Sequence, residues 1–521
     1  MKKTLLLLAA ATIVVLGAVA CGNEGKKRYE EGVQLLEQER WEDAVASLNE
    51  AIRLDAKNAD AFYSRAKAQA SLDRQAAAMQ DVDEAIRLKA DHAAAFALRG
   101  ELKGDKGEYE GAVADLTEAL RLEPNNAKAL VLRGKAYAEL RQAETSIADY
   151  TSAIALDANN AEAFLGRGTV YGATGKLDEA IRDLTDALRL NPVSSAARSQ
   201  RGSVFARQGE FDRAIADFNE AIRLSPNTAS YYGNRGIIYA EIGRPDEAIK
   251  DFNQLLAITP NSQAAQYFRG NAYVAMGEYE LALADYGAIL AVTPYDSEAL
   301  LARSQAHAGL GLFEQALGDL NVYISMEPED PVAYFHRGNV YADMDQHVDA
   351  IREFDKAIRL EPTLVEAYIN RGNSFIVLEG FAEALSDYNK AIEVNPESPV
   401  AYNYRGMLFA DGADDQAAAR DFDEAIRLDD TYAEAYKNRA VALMNLDLVD
   451  RALGDLDDAI KLEPNYVDAY AYRAVAYTML SKDAEAKADL DKAVELGADR
   501  AVMEQYLAGI RDRRVTDIPV P

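Results

Sequence analysis

Residues 161–194 read AEAFLGRGTVYGATGKLDEAIRDLTDALRLNPVS. Phe164, Gly168 and Tyr171 fall four and three apart, and Leu177, Ala180, Leu184, Ala187 and Leu188 follow at the spacing of a second helical face. The stretch predicts two amphipathic helices. Gly175 lies between them, where a tight turn is needed. Pro192 ends the second helix, because proline cannot continue one and restricts the residue before it.

The pattern recurs in fixed register from Gly25 to Arg500, which is 476 residues or 14 × 34, with no insertion. It resembles the tetratricopeptide repeat, a 34-residue helix–turn–helix unit. Phe164, Gly168, Tyr171, Ala180, Leu184, Ala187 and Pro192 carry the resemblance in this copy. It implies an all-α fold: a right-handed superhelical solenoid of fourteen repeats with a C-terminal capping helix. A length of 521 would otherwise suggest three or four domains at roughly 150 residues each. A solenoid core grows in one dimension, so one elongated domain is expected instead. The expected segments are a leader over 1–20, a lipidated start over 21–24, repeats over 25–500, the capping helix over 501–514 and a loose tail over 515–521.

The formal net charge is −30 and the pI is near 4.6. Such a surface repels phosphate, which disfavours nucleic acid as a partner. It repels anionic lipid headgroups as well. A basic or neutral partner is easier to accommodate, and the acidic residues also keep a long exposed solenoid soluble. The single cysteine, Cys21, excludes an intramolecular disulfide.

That cysteine follows a distinctive start. Met1-Lys2-Lys3 precedes an uncharged apolar run over Thr4–Ala20, short for a membrane span and suited to a signal-peptide core. The run ends Ala18-Val19-Ala20-Cys21, which resembles a bacterial lipobox, with Ala18 where leucine is more usual. The resemblance implies a lipid on Cys21 and an envelope location: the outer membrane in a diderm cell, given Gly22 in place of aspartate, and otherwise the outer face of the cell membrane. An uncleaved anchor or an ordinary Ala-x-Ala signal remains the alternative.

Numbering each repeat 1 to 34 from Gly25 exposes what varies. Position 8 is Gly in ten copies, with Ala66, Ala440, Ala474 and Ser304 in the others; position 20 is Ala in thirteen and Ser146 in one. Small residues here let two helices approach, while large neighbours at positions 4, 11 and 24 fill the grooves. Position 7 is Arg in thirteen copies and position 23 is Asp in twelve, with Glu353 in a thirteenth. Both are missing from the first repeat, which has Glu31 and Ser47. This predicts an Arg–carboxylate ladder within repeats, or else one bridging adjacent repeats. Position 27, usually Ala, becomes Leu255, Ile289 and Tyr323 in three consecutive repeats, with Gln266 at position 4 and His307 at position 11 nearby. Altered helix spacing is expected there, as a bend, a binding site or drift. Another irregular copy begins at Ser195, where Arg198 replaces the aromatic. At the C-terminus, Val502, Tyr506 and Ile510 predict a helical face that covers the last repeat.

No catalytic constellation, metal-ligand spacing or phosphate loop stands out. Gly309-Leu310-Gly311 lacks a third glycine, and His336 and His347 fall on different predicted helices. The chain therefore reads as a non-enzyme without a cofactor or a small-molecule substrate. The family resemblance implies that the first helix of each repeat lines a concave groove through positions 2, 5, 9, 12 and 13. In repeats eight to eleven, position 5 supplies Tyr267, Leu301, Phe335 and Ile369, and position 9 supplies Asn271, Gln305, Asn339 and Asn373. Positions 5 and 9 share a helix face, so an apolar row should lie beside a carboxamide row able to bond an extended peptide. The other reading is an ordinary, moderately apolar solenoid surface. The expected function is a membrane-tethered scaffold for other proteins or extended peptides; the alternative is a chaperone or adaptor that captures many clients transiently.

Overall fold

The computed structural model describes residues 24–516, with side chains through residue 512. The described residues form twenty-nine α-helices and no strand. Helix α1 spans 24–37 and α2 spans Trp41–Leu54, and the hairpins continue in pairs to α27 (Val467–Met479) and α28 (Asp483–Glu495), followed by α29 (Arg500–Thr516). The contacts gather into two compact units, Met1–Ala265 and Gln266–Pro521, where the sequence predicts one elongated domain. Each repeat touches chiefly its neighbours, so an array has no single centre for its contacts to share.

Helices α9 (Ala161–Ala173) and α10 (Leu177–Leu190) show how one hairpin is specified. The Asn160 side chain caps α9 by accepting from the Ala163 amide at 2.9 Å. After α9, Gly175 adopts φ +81° and the Lys176 amide donates to the Tyr171 carbonyl at 2.9 Å, a left-handed helix termination. Position 15 takes positive φ in all fourteen repeats, with glycine in six and residues such as Arg141 and Ala413 at φ 57–61° in the other eight. The turn geometry is thus imposed by the hairpin even where side chains resist it.

Two buried positions set the helix separation. Position 20 is completely buried in every repeat, from Ala44 to Ala486, Ser146 included. Position 8 is matched to position 24 across the hairpin. A Cβ on Gly236 would lie 2.8 Å from the Phe252 ring, and one on Gly406 2.7 Å from the Phe422 ring. The four repeats with Ala or Ser at position 8 all have an aliphatic residue opposite: Val82, Leu320, Leu456 and Leu490. An aromatic ring at position 24 leaves no room for the extra methyl.

The arginine ladder is present, and it runs both ways. All thirteen position-7 arginines reach the position-23 carboxylate of their own repeat, with closest N–O distances of 2.5–2.7 Å. In Arg167, Nε and Nη2 donate to Asp183 while Nη1 donates to Thr151 of the preceding repeat at 3.0 Å. The same arm reaches Asp83 from Arg99, Asp355 from Arg371 and Asp457 from Arg473. The guanidinium also lies over Phe164 and Tyr171 at 5.8 and 5.9 Å. Hydrogen bonding to Asp183 raises the pKa of Arg167 above its usual value despite partial burial. Such a pair fixes register more surely than it adds net stability. The first repeat lacks it; there the Ser47 hydroxyl donates to the Arg28 carbonyl at 3.0 Å.

At the C-terminus the expected packing face is corrected. Leu507 is 1% exposed, and Met503 and Ile510 pack beside it on the last repeat, whereas Val502 is 63% and Tyr506 56% exposed. The buried stripe is 503–507–510, because Leu507 at four- and three-residue spacing from two apolar neighbours offers a larger continuous face than Val502 and Tyr506. Helix α29 runs to Thr516, two residues into the expected tail.

Candidate functional site

Helices α15 (Gln263–Ala275), α17 (Ser297–Gly309), α19 (Pro331–Asp343) and α21 (Val365–Val377) carry the eight peptide-binding candidates. Tyr267, Asn271, Leu301 and Gln305 come together around one hollow of about 330 Å³, with Val274, Tyr286, Glu298, Ala302 and Tyr323 completing its wall. Asn373 lies in a second hollow, of about 220 Å³, with Tyr388, Tyr404 and Asp411. Phe335 is half-buried with its ring 6.1 Å from that of Phe354, so much of its surface serves the core. Ile369 is only 5% exposed and packs with Tyr368, Ala391 and Ala401. It is a core residue, and the apolar row stops short of it. Beyond it, Asn403 is 1% exposed and fully bonded, donating to the Tyr432 hydroxyl at 3.1 Å and accepting from Asn438 at 2.9 Å.

The carboxamides are held by the protein itself. The Tyr286 hydroxyl donates to Asn271 Oδ1 and the Tyr388 hydroxyl to Asn373 Oδ1, each at 2.7 Å. Asn339 Oδ1 accepts from Asn370 Nδ2 at 2.8 Å, and Gln305 Nε2 lies 3.2 Å from His336 Nε2. With their oxygens committed, Asn271, Asn339 and Asn373 present amide donors. The sequence predicts each carboxamide free to donate and accept, and here the protein's own hydrogen bonds occupy the accepting side. Burial lowers the His336 pKa, against a smaller opposing pull from Asp330, which keeps the imidazole neutral beside Gln305. Tyr323, the large residue at position 27, has its phenol pushed up to about 12 by burial and by its bond to Asp330.

Three family models match the chain: one for the tetratricopeptide repeat at 165–229, 200–263, 267–331 and 369–433, one for the TPR repeat at 32–73 and 104–141, and a further tetratricopeptide repeat one at 127–160 and 331–364. The chain belongs to the tetratricopeptide repeat family. No curated protein matches its sequence. Among solved structures, a tetratricopeptide repeat protein from Parabacteroides merdae is 24% identical, covering 48% of this chain and 98% of its own, with a TM-score of 0.43. Yeast Tom70 is 17% identical over 81% of this chain and 96% of its own, with a TM-score of 0.43. YrrB, a TPR protein with an unusual peptide-binding site, is 23% identical over 34% and 92%, with a TM-score of 0.30. A TPR array is typically a non-catalytic scaffold that binds other proteins or peptides, and the repeats of this chain support a protein–protein interaction scaffold.

Sequence reasoning missed several residues of these TPR hollows. Glu298 is exposed at the rim of the first, and Tyr286 comes from a second-helix position that reads as core, whereas Tyr323 lies in the stretch where a bend, a binding site or drift is expected. A further hollow of about 390 Å³ opens in the N-terminal unit, where Ala94 and Ala97 leave space beside Tyr63, Lys67, Glu101 and Lys128. Its signal was small residues at positions 2 and 5 of one repeat. Lys128 is paired with Glu101 at 2.8 Å. Among the described residues, no group of three or more His, Cys, Asp or Glu is placed to hold a metal, and no helix is long and apolar enough to cross a membrane. Cys21 and the leader over 1–20 lie outside the described residues.

Proposed function

We propose that this TPR protein is a lipid-tethered scaffold of the bacterial envelope that holds an extended segment of a partner protein along repeats eight to eleven. The observation that carries the reading is the internal bonding of the carboxamides. Tyr286, Asn370 and Tyr388 tie the oxygens of Asn271, Asn339 and Asn373 and leave their amides to donate. Such donors at repeat spacing suit the carbonyls of an extended chain, and Tyr267 and Leu301 flank them with apolar surface. The lipobox-like Ala18–Cys21 supports the tether, and three acyl chains on one cysteine, as in proteins carrying that motif, would anchor stably where a single chain is marginal.

The triple variant Asn271→Asp, Asn339→Asp, Asn373→Asp keeps each acceptor oxygen and replaces each donor by a carboxylate. It should melt with the wild type yet lose partner capture at least tenfold in a crosslinked pull-down from intact envelopes. Undiminished capture would remove the groove from the account. Mass spectrometry of the N-terminal peptide should find acyl chains on Cys21, and Cys21→Ser should move the protein from the membrane to the soluble fraction. An unmodified Cys21 would remove the tether.

A further inference from the structure

Helix α16 (Tyr279–Val292) is apolar on both sides. It buries Ala282, Tyr286, Ile289 and Leu290 in the core of repeat eight. Its opposite side presents Leu281, Ala284, Ala288, Ala291 and Val292, all exposed, with Leu281 48% and Val292 75% open. A helix that is apolar all round is ordinarily covered all round. These residues sit on the second helix of the repeat, opposite Tyr286, and so take no part in the first-helix groove. Leu281, Ala284, Ala288 and Ala291 hold positions 19, 22, 26 and 29 of the repeat. In eleven of the other thirteen repeats those four positions include at least one charge, as in the exposed ion pairs Glu84–Arg87 and Glu424–Arg427. The next repeat is uncharged there too, with Gln315, Gly318, Val322 and Ser325 on α18 (Phe313–Met326).

We propose that α16 is the contact of a homodimer, packed antiparallel on α16 of a second copy across a two-fold axis. The three, four and three spacing of Leu281, Ala284, Ala288 and Ala291 is that of a coiled-coil seam. The seam is self-complementary, as a two-fold contact must be. Ala284 of each copy meets Ala288 of the other, which lets the helix axes approach to about 8 Å. Leu281 of each then fills the space beside Ala291 and Val292 of the other. Charge selects the occupant and the direction. Two chains of net charge −30 repel wherever their charged faces meet, and this face is free of that cost. A basic or an acidic partner finds no opposite charge on it. Glu280, in the first turn, is the one exposed charged residue of α16. Antiparallel packing sets the two Glu280 side chains about 20 Å apart along the seam. That is beyond the screening length of about 8 Å, whereas parallel packing would place them side by side. Four turns of one helix fall short of the about 800 Å² per partner that a stable complex buries, so the dimer is a dissociating one, populated at high protein concentration.

Sedimentation velocity of the full chain at rising concentration should show monomer giving way to dimer. Leu281→Glu with Ala288→Glu, both at exposed sites, should melt with the wild type and weaken dimerisation at least tenfold. The triple aspartate variant of Asn271, Asn339 and Asn373 should dimerise like the wild type, which separates this face from the carboxamide groove. In a Cys21→Ser background, tagged Ala284→Cys mixed with untagged Ala288→Cys should form a disulfide between the two chains under mild oxidation, at least tenfold faster than either links to itself. Faster self-linking would mean parallel packing and would overturn the proposal. So would a dimer that the double glutamate variant leaves intact, or a wild type that stays monomeric throughout. If that monomer loses an envelope partner through the double glutamate change, the face belongs to that partner and not to a second copy.

Discussion

Repeat five, Ala161–Ser194, and repeat nine, Ser297–Asp330, reach one hairpin by different side chains. Their helices have the same lengths, thirteen and fourteen residues: α9 and α10 in one, α17 and α18 (Phe313–Met326) in the other. Gly168 admits Leu184 in repeat five, whereas in repeat nine the Ser304 hydroxyl folds back onto the Leu301 carbonyl at 2.7 Å. Tyr171 lies over Arg167, whereas His307 places Nδ1 3.1 Å from Asp319, beside Arg303. Ala187 is replaced by Tyr323, which is 8% exposed and bonded to Asp330. What both keep is the buried alanine at position 20 and the arginine–aspartate pair. Those elements hold the hairpin; the remaining consensus positions can be exchanged if their neighbours compensate.

The largest expected effect tests the pair. Arg167→Leu strands a buried Asp183 and should cost about 3–5 kcal/mol in urea unfolding or in hydrogen exchange of α9 and α10. Arg303→Leu should cost less. The position sixteen residues back, which the Nη1 arm reaches in other repeats, is here Gly287 without a side chain, and the Arg303 side chain is 28% exposed against 17% for Arg167. Equal losses would show that the arm to the preceding repeat contributes nothing. Replacing Arg167 and Asp183 together by leucine should recover most of the loss and leave the register to be judged by exchange.

Ala180→Leu and Ala316→Leu come next, each overpacking a fully buried joint by about 1–3 kcal/mol in thermal melts. A tolerant Ala316 alone would mean that repeat nine is looser than its hairpin geometry suggests. A smaller gain should come from Gly287→Asn. A Cβ at Gly287 meets nothing within 4 Å, and the new carboxamide would restore the partner that Arg303 lacks, adding about 1 kcal/mol. Gly287→Ala, which gains about 1 kcal/mol of helix propensity over glycine and has no carboxamide, separates that bond from the smaller propensity gain of asparagine.

The smallest effect is a pH dependence that repeat nine has and repeat five lacks. Burial lowers the His307 pKa from its ordinary 6.5, more than Asp319 and its hydrogen bond raise it. Below that pH the unfolded imidazole takes up a proton before the folded one does. This contribution is complete above pH 6.5 and is lost as the pH falls towards the lowered value. Hydrogen exchange in α17, corrected for intrinsic rates, should accelerate between pH 7.5 and 5.5 relative to α9, whose repeat has no histidine. His307→Asn should shrink the difference, leaving only what His336 contributes through Gln305.

Much of the fold was legible because it is local. The pairing of Arg167 with Asp183 follows from sixteen residues of helix, turn and helix, whose geometry is set within the hairpin. The candidate site was legible in part. Tyr267, Asn271, Leu301 and Gln305 share a hollow, but Ile369 is core and the Asn271 oxygen is taken by Tyr286. Neither fact could be read from spacing, because each depends on the size of a residue on another helix. Glu298 stands at position 2, which the family resemblance assigns to the groove, but among so many acidic residues only its place on the rim sets it apart.

Sequence alone determined the paired amphipathic helices, a tight turn near position 15, the small residues at positions 8 and 20 with large ones to fill the grooves, and an arginine–carboxylate ladder within repeats or between them. All of these follow from the periodicity of a helix over a few turns. Tertiary structure decided the second arm of each arginine, which end of each carboxamide faces outward, and the rotation of α29 that buries Leu507 and exposes Tyr506. These depend on how side chains from two hairpins share one space, and a pattern read along a single chain does not carry that volume.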